Sequence, residues 1–172
     1  MALEGKRIAL LAEDLYEDVE LWYPYYRLQE AGAVVVVVGP EANTVYKSKH
    51  GLPVQSALAA RDLQAADFDA VIIPGGYAPD RMRRDQGMIK FVKHMAEAGK
   101  VVAYICHAGW LAISAGIVQG RQVTGFFSTR DDLVNAGATY LDKAVVRDGN
   151  LISSRKPDDL PVFCRTIIAA LE

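Results

Sequence analysis

Apolar residues follow two rhythms along this chain. Residues 7–12, 34–38, 70–73 and 101–105 are short, nearly unbroken apolar runs, the second of them five consecutive valines. Runs of that length, bounded by turn formers, predict strands buried on both faces of a parallel sheet. Between them the apolar positions recur at helical spacing. Val19, Leu21, Trp22, Tyr25, Tyr26 and Leu28 predict a helix over 17–31, closed by Gly32; further helices are expected over 87–98, 109–115 and 160–171. Residues 44–54 are polar and carry Gly51 and Pro53, which suggests an irregular excursion or hairpin. Asp148-Gly149-Asn150, between 144–147 and 151–154, has the composition of a tight hairpin turn. Strands alternating with helices imply right-handed crossovers, hence a three-layer α/β sandwich around a mainly parallel sheet. No linker or repeat divides the 172 residues, so one domain over 1–172 is expected.

Charge and composition remove several function classes. The formal net charge is -2 and no Lys/Arg-rich segment stands out, which argues against a nucleic-acid partner. The polar start and the short apolar run after it resemble neither a signal peptide nor a spanning helix, so no membrane partner and a cytoplasmic location are expected. Two cysteines are too few for a disulfide framework, and both are expected as free thiols. The three histidines, His50, His94 and His107, are scattered, which predicts no metal site; no cofactor is expected either.

Sites in an open parallel sheet form beyond the carboxyl ends of its strands. Three such ends carry chemistry: Glu13 to Asp18, Pro74-Gly75-Gly76, and Cys106-His107. A thiol at a strand-to-helix junction sits over the positive helix N-terminus, which favours the nucleophilic thiolate and predicts a lowered pKa and partial exposure. Small Ala108 and Gly109 behind Cys106, with Gly75-Gly76 on the neighbouring strand end, leave room for an oxyanion beside backbone donors. His107 reaches the preceding sulfur only if the turn is sharp. Five acids between Glu13 and Glu20 suit a helix N-terminus, and spacing alone does not select Glu17 over Asp14 or Asp18. Asp80 after Pro79 likewise suits a helix start. Cys164 lies among apolar neighbours and is expected in the core; His50 and His94 are expected as ordinary surface residues.

Taken together, these blocks resemble the PfpI-type intracellular protease family, within the superfamily of parkinsonism-associated deglycases and class I glutamine amidotransferase-like folds. The matching segments include Glu17-Asp18-Val19-Glu20-Leu21 with Tyr23-Pro24-Tyr25, His50-Gly51, Pro74-Gly75-Gly76 with Ala78-Pro79-Asp80-Arg81, Cys106-His107, and Ser114-Ala115-Gly116. Asp131-Asp132 with Asn135-Ala136-Gly137, and Asp148-Gly149-Asn150 through Ser153-Ser154-Arg155, complete the series. The resemblance implies a flavodoxin-like sandwich with Cys106 as nucleophile, Glu17 as a carboxyl bonded to its sulfur, and His107 as base. It also implies that Asp80 of a neighbouring subunit completes the triad, with an oxyanion hole around Gly75, Gly76 and Ala108 in a homodimer or larger homo-oligomer. The chain departs from many relatives at Ala108-Gly109, where they carry Gly-Pro; at Phe126, where some carry Tyr; and at Asp80, where some carry Glu.

The function expected from this resemblance is a stress-defence cysteine enzyme acting on small-molecule carbonyls or glycated side chains, of the glyoxalase or deglycase type. A peptidase acting on small peptides is the enzyme alternative, and a redox sensor or holdase with an oxidisable Cys106 the non-enzyme one.

Overall fold

The apolar runs form strands where expected, and the computed structural model describes all residues from Met1 to Glu172. β1 (Arg7–Leu11) leads into α1 (Asp18–Glu30), and the valine run forms β2 (Val34–Gly39). The polar excursion is an antiparallel hairpin of β3 (Val45–Lys47) and β4 (Pro53–Gln55), followed by a two-residue edge strand, β5 (Leu58–Ala59), with too little pattern to anticipate. After β6 (Ala70–Ile73) come a short helix, α2 (Ala78–Met82), and α3 (Gln86–Glu97). The Asp85 side chain caps α3 by accepting from the Met88 N–H at 2.8 Å, and Met88, Phe91, Val92 and Met95 form its buried stripe. β7 (Val101–Ile105) runs through a 3-10 turn, Cys106–Ala108, into α4 (Gly109–Ser114). Then follow β8 (Gln122–Val123), α5 (Arg130–Asn135), β9 (Thr139–Tyr140), the hairpin of β10 (Val145–Asp148) and β11 (Leu151–Ser154), and α6 (Leu160–Leu171). α6 buries Leu160, Phe163, Cys164, Ile167, Ile168 and Leu171, again at helical spacing.

The seven-stranded sheet has the order β10-β11-β7-β6-β1-β2-β5 and is parallel except where β10 pairs antiparallel with β11. α1 and α6 pack together on one side, and α3 and α4 pack together on the other. The arrangement is a flavodoxin-like mixed α/β sandwich. β1 lies between β2 and β6, so the chain leaves it to one side first and returns on the other. The crevice at this reversal, beyond the carboxyl ends of β1 and β6, is where ligands bind in open α/β sheets. Every residue of β6 and β7 is buried, giving the ends of these strands a rigid base. No helix is long and apolar enough to cross a membrane.

Candidate active site

Three strand ends meet at one sulfur. Cys106 directly follows β7 and has a φ of 63°, the left-handed region that costs a non-glycine residue on the order of 1–3 kcal/mol. This sharp strand-to-helix turn is the geometry of a nucleophile elbow, and it lets an adjacent histidine double back. His107 Nδ1 lies 3.2 Å from Cys106 Sγ, and its Nε2 lies 3.2 Å from Ser128 Oγ. The imidazole stacks on Phe126 at 4.8 Å between centroids and meets the edge of Trp110 at 5.1 Å. Burial, with the Lys49 charge beside it, lowers the His107 pKa and keeps the ring neutral at physiological pH.

Gly75 and Gly76 supply the opposite wall. A Cβ on Gly75 would lie 2.4 Å from Glu20 Oε2 and 2.7 Å from Cys106 Cβ. One on Gly76, whose φ is +77°, would lie 2.5 Å from the Glu17 nitrogen and 2.6 Å from the Leu15 oxygen. The pair is therefore required by close approach: β6 turns here directly against the loop leaving β1. Tyr16 bridges Gly76, the Glu17 N–H donates to the Gly75 carbonyl at 3.2 Å, and the Tyr77 N–H donates to Leu15 at 2.9 Å. The backbone N–H groups of Gly76 and His107 act on the sulfur in favour of its anion. Ala108 is fully buried in the 3-10 turn.

The acid at the sulfur is Glu20, which corrects the role expected of Glu17. Glu20 is fully buried on the inner face of α1, and its Oε2 accepts the Gly75 N–H at 2.8 Å. Its Oε1 has no conventional hydrogen-bond partner, and the remaining polar neighbour of the carboxyl is the Cys106 thiol. Burial pushes the Glu20 pKa up to about 7. Glu17, one turn earlier, faces outward and accepts from Lys49 Nζ at 2.8 Å. The periodicity held the clue: Glu20, Pro24 and Leu28 are four apart on the buried stripe of α1, whereas Glu17 precedes the helix.

The thiol also departs from expectation. Cys106 is only 7% exposed, and burial together with the adjacent Glu20 carboxylate raises its pKa. The helix after it is short and begins three residues later, so dipole stabilisation is outweighed by desolvation. A thiolate and a carboxylate in contact in so dry a site cannot both be ionised, so the pair keeps at least one proton at neutral pH. Cys164, fully enclosed in α6, has its pKa pushed up to about 12 by burial.

Asp80 is not brought to His107 within the chain. It pairs with Arg84 on the exposed side of α2 and lines a cleft of about 460 Å³ with Arg83, Trp110 and Asp132. Ser128 takes the place beside the imidazole instead, a contact between segments 21 residues apart that no local motif announces. His50, expected as an ordinary loop residue, bonds Asp18 at 2.7 Å. Glu17, Asp18 and His50 thereby form the one group of potential metal ligands, their atoms within 4.8 Å of one another, with the carboxylates already bonded to Lys49, Ser48 and His50.

Comparison with known proteins identifies the family. Residues 6–170 match the model of the DJ-1/PfpI family. The chain is 40% identical over 166 residues to Deglycase PfpI of Pyrococcus furiosus, covering 96% of this chain and 99% of that one. It is 41% identical over 168 residues to YraA of Bacillus subtilis, which carries a provisional cysteine-protease name, with 98% and 99% covered. Among solved structures, a two-domain protein of Anabaena variabilis with DJ-1/ThiJ/PfpI-like and ferritin-like domains superimposes with a TM-score of 0.95 at 45% identity. That match covers 97% of this chain and 48% of the Anabaena protein, so this chain spans about half of it. The chain belongs to the DJ-1/PfpI family.

Proposed function

We propose that this protein is a cysteine enzyme that converts reactive 2-oxoaldehydes, free or as early adducts on side chains, into 2-hydroxy acids. The observation that carries the reading is the constellation at one sulfur: a thiol on a strained elbow, two backbone N–H donors, a buried carboxyl and a neutral imidazole. In the first step the sulfur attacks the aldehyde carbon of the 2-oxoaldehyde, which an early adduct regenerates by releasing the free side-chain amine; an S–C bond forms and the carbonyl π bond opens. The thiol proton passes to Glu20, the buried carboxyl beside the sulfur, whose hold on a proton burial strengthens. The new oxyanion faces the N–H groups of Gly76 and His107 and collects a proton to give a hemithioacetal. His107, in the tautomer that donates Nε2–H to Ser128 Oγ and turns its Nδ1 lone pair toward Cys106, then moves the C1 proton to C2 through an enediol while the C1 hydroxyl proton passes to the C2 oxygen, leaving a 2-hydroxyacyl thioester. Water cleaves the thioester, releasing the acid and restoring the thiol. One water is the only co-reactant.

The name of the Pyrococcus relative supports carbonyl chemistry, and the buried sulfur favours a small electrophile over a polypeptide strand. A steady-state comparison of methylglyoxal with fluorogenic peptides tests the reading. Turnover of methylglyoxal supports it. Peptide cleavage without methylglyoxal turnover would make the protein a peptidase, and reversible oxidation of Cys106 with neither turnover would make it a redox sensor.

A further inference from the structure

Lys49 takes no step in the chemistry above, yet the fold holds its ammonium group beside Glu17 and Tyr77, next to the thiol site. Its backbone N–H donates to Tyr16 at 3.0 Å, next to the Tyr16–Ser48 bridge, which fixes the start of the side chain against the loop that walls the cleft. Its Nζ lies 2.8 Å from Glu17 Oε2 and 5.6 Å from the centre of the Tyr77 ring. Glu17 and Tyr77 flank the two glycines: the Glu17 N–H bonds the Gly75 carbonyl, and Tyr77 follows Gly76 directly. An ammonium carries three N–H donors; Lys49 spends one on Glu17, and the other two meet no protein acceptor. The side chain is one-third exposed, so an incoming ligand can reach it. Its charge acts on both Cys106 and His107.

We propose that Lys49 forms an anion subsite at the rim of the Cys106 cleft, with Glu17 as its resident counter-ion, and that it selects electrophiles bearing a carboxylate. Combined with the carbonyl reading above, on which this part rests, the favoured substrates are 2-oxoaldehydes with a carboxylate at the far end. The aldehyde meets the sulfur while the carboxylate takes the two free donors of Lys49. Glu17 competes for the same ammonium, so it moderates the preference and accounts for an acid at this position that does not touch the thiol.

Two paired measurements test this, one independent of turnover. The first is the ratio of second-order rate constants for alkylation of Cys106 by iodoacetate and by iodoacetamide, followed by mass spectrometry of the Cys106 peptide. A changed thiol pKa affects both reagents alike and cancels in the ratio. Lys49→Gln should lower the ratio about 3- to 10-fold, as expected for loss of one nearby charge at a partly solvated rim. Lys49→Arg should retain most of it, Glu17→Gln should raise it, and 0.5 M salt should shrink the difference between the parent and Lys49→Gln. The second is kcat/KM for 4,5-dioxopentanoate relative to methylglyoxal, which should fall in Lys49→Gln and rise in Glu17→Gln. An alkylation ratio unmoved by Lys49→Gln overturns the subsite. A ratio that shifts as described while neither aldehyde is turned over upholds the subsite and overturns the carbonyl reading instead.

Discussion

Replacing Glu20 with Gln should stabilise the protein by under about 1 kcal/mol at pH 5 and by about 3 kcal/mol at pH 8. The carboxyl titrates near 4.5 when unfolded and about 7 when folded, because burial disfavours its anion. A folded pKa above the unfolded one means that the native state binds the extra proton, so stability falls as pH rises between the two values. Above pH 7 the native state carries the full cost, about 3 kcal/mol at 1.36 kcal/mol per pH unit between 4.5 and about 7. A Gln side chain cannot ionise. Its oxygen can accept the Gly75 N–H now bonded to Oε2, and its amide can point a donor at the sulfur in place of Oε1. Urea unfolding of the reduced parent and Glu20→Gln at half-unit steps from pH 5 to 8.5 measures the difference. The two curves should diverge with rising pH, the variant gaining up to about 3 kcal/mol by pH 8. Its Cys106 should also alkylate faster at pH 8.5, since the carboxylate that raises the thiol pKa is gone. Parallel stability profiles would refute the claim that Glu20 holds a proton beyond the ordinary carboxyl range.

Three further outcomes are expected. Iodoacetamide should label Cys106 well before Cys164 in the native protein, because Cys106 keeps 7% of its surface exposed while Cys164 is fully enclosed; peptide mapping after partial labelling checks the order. Gly76→Ala should cost at least about 2 kcal/mol in urea unfolding, since the added Cβ meets backbone atoms at 2.5 and 2.6 Å in a left-handed conformation; a loss under about 0.5 kcal/mol would mean the loop yields freely. Ser128→Ala removes the partner of His107 Nε2 and should lower kcat for methylglyoxal about 3- to 10-fold while the Cys106 alkylation rate holds; an unchanged kcat would detach Ser128 from the imidazole's work.

The strands that carry the site were legible because β1, β2, β6 and β7 are continuous apolar runs; β6 and β7 are buried throughout as expected, whereas β2 is exposed at Val34 and half-buried at Val35 and Val36. Their parallel order brings Glu13 to Asp18, Gly75-Gly76 and Cys106-His107 to one edge, so the location of the site followed from topology. Short elements were less readable. α2, α5, β5, β8 and β9 span two to six residues each and are held by tertiary contacts rather than by their own periodicity. At the site, Cys106, His107 and the two glycines stood out locally, because each marks a turn. The choice of acid did not follow from the family motif, since Glu17 and Glu20 fall in one block three residues apart. What separates them is helix phase: Glu20 shares the buried face with Pro24 and Leu28, and Glu17 ends outside the helix beside Lys49. The direction of the thiol pKa was misjudged for a related reason. A helix N-terminus can be seen in a sequence, whereas the desolvation that outweighs it depends on how deeply the fold encloses the sulfur.

The central claim is that Cys106 performs covalent chemistry on a carbonyl and returns to a free thiol. Quantifying lactate formed from methylglyoxal, alongside methylglyoxal consumed, by the reduced parent and Cys106→Ser tests it most directly. The account predicts one lactate per methylglyoxal consumed over many turnovers of the parent, and none above buffer in Cys106→Ser. Methylglyoxal that disappears without lactate, or lactate formation that survives loss of the sulfur, would contradict it.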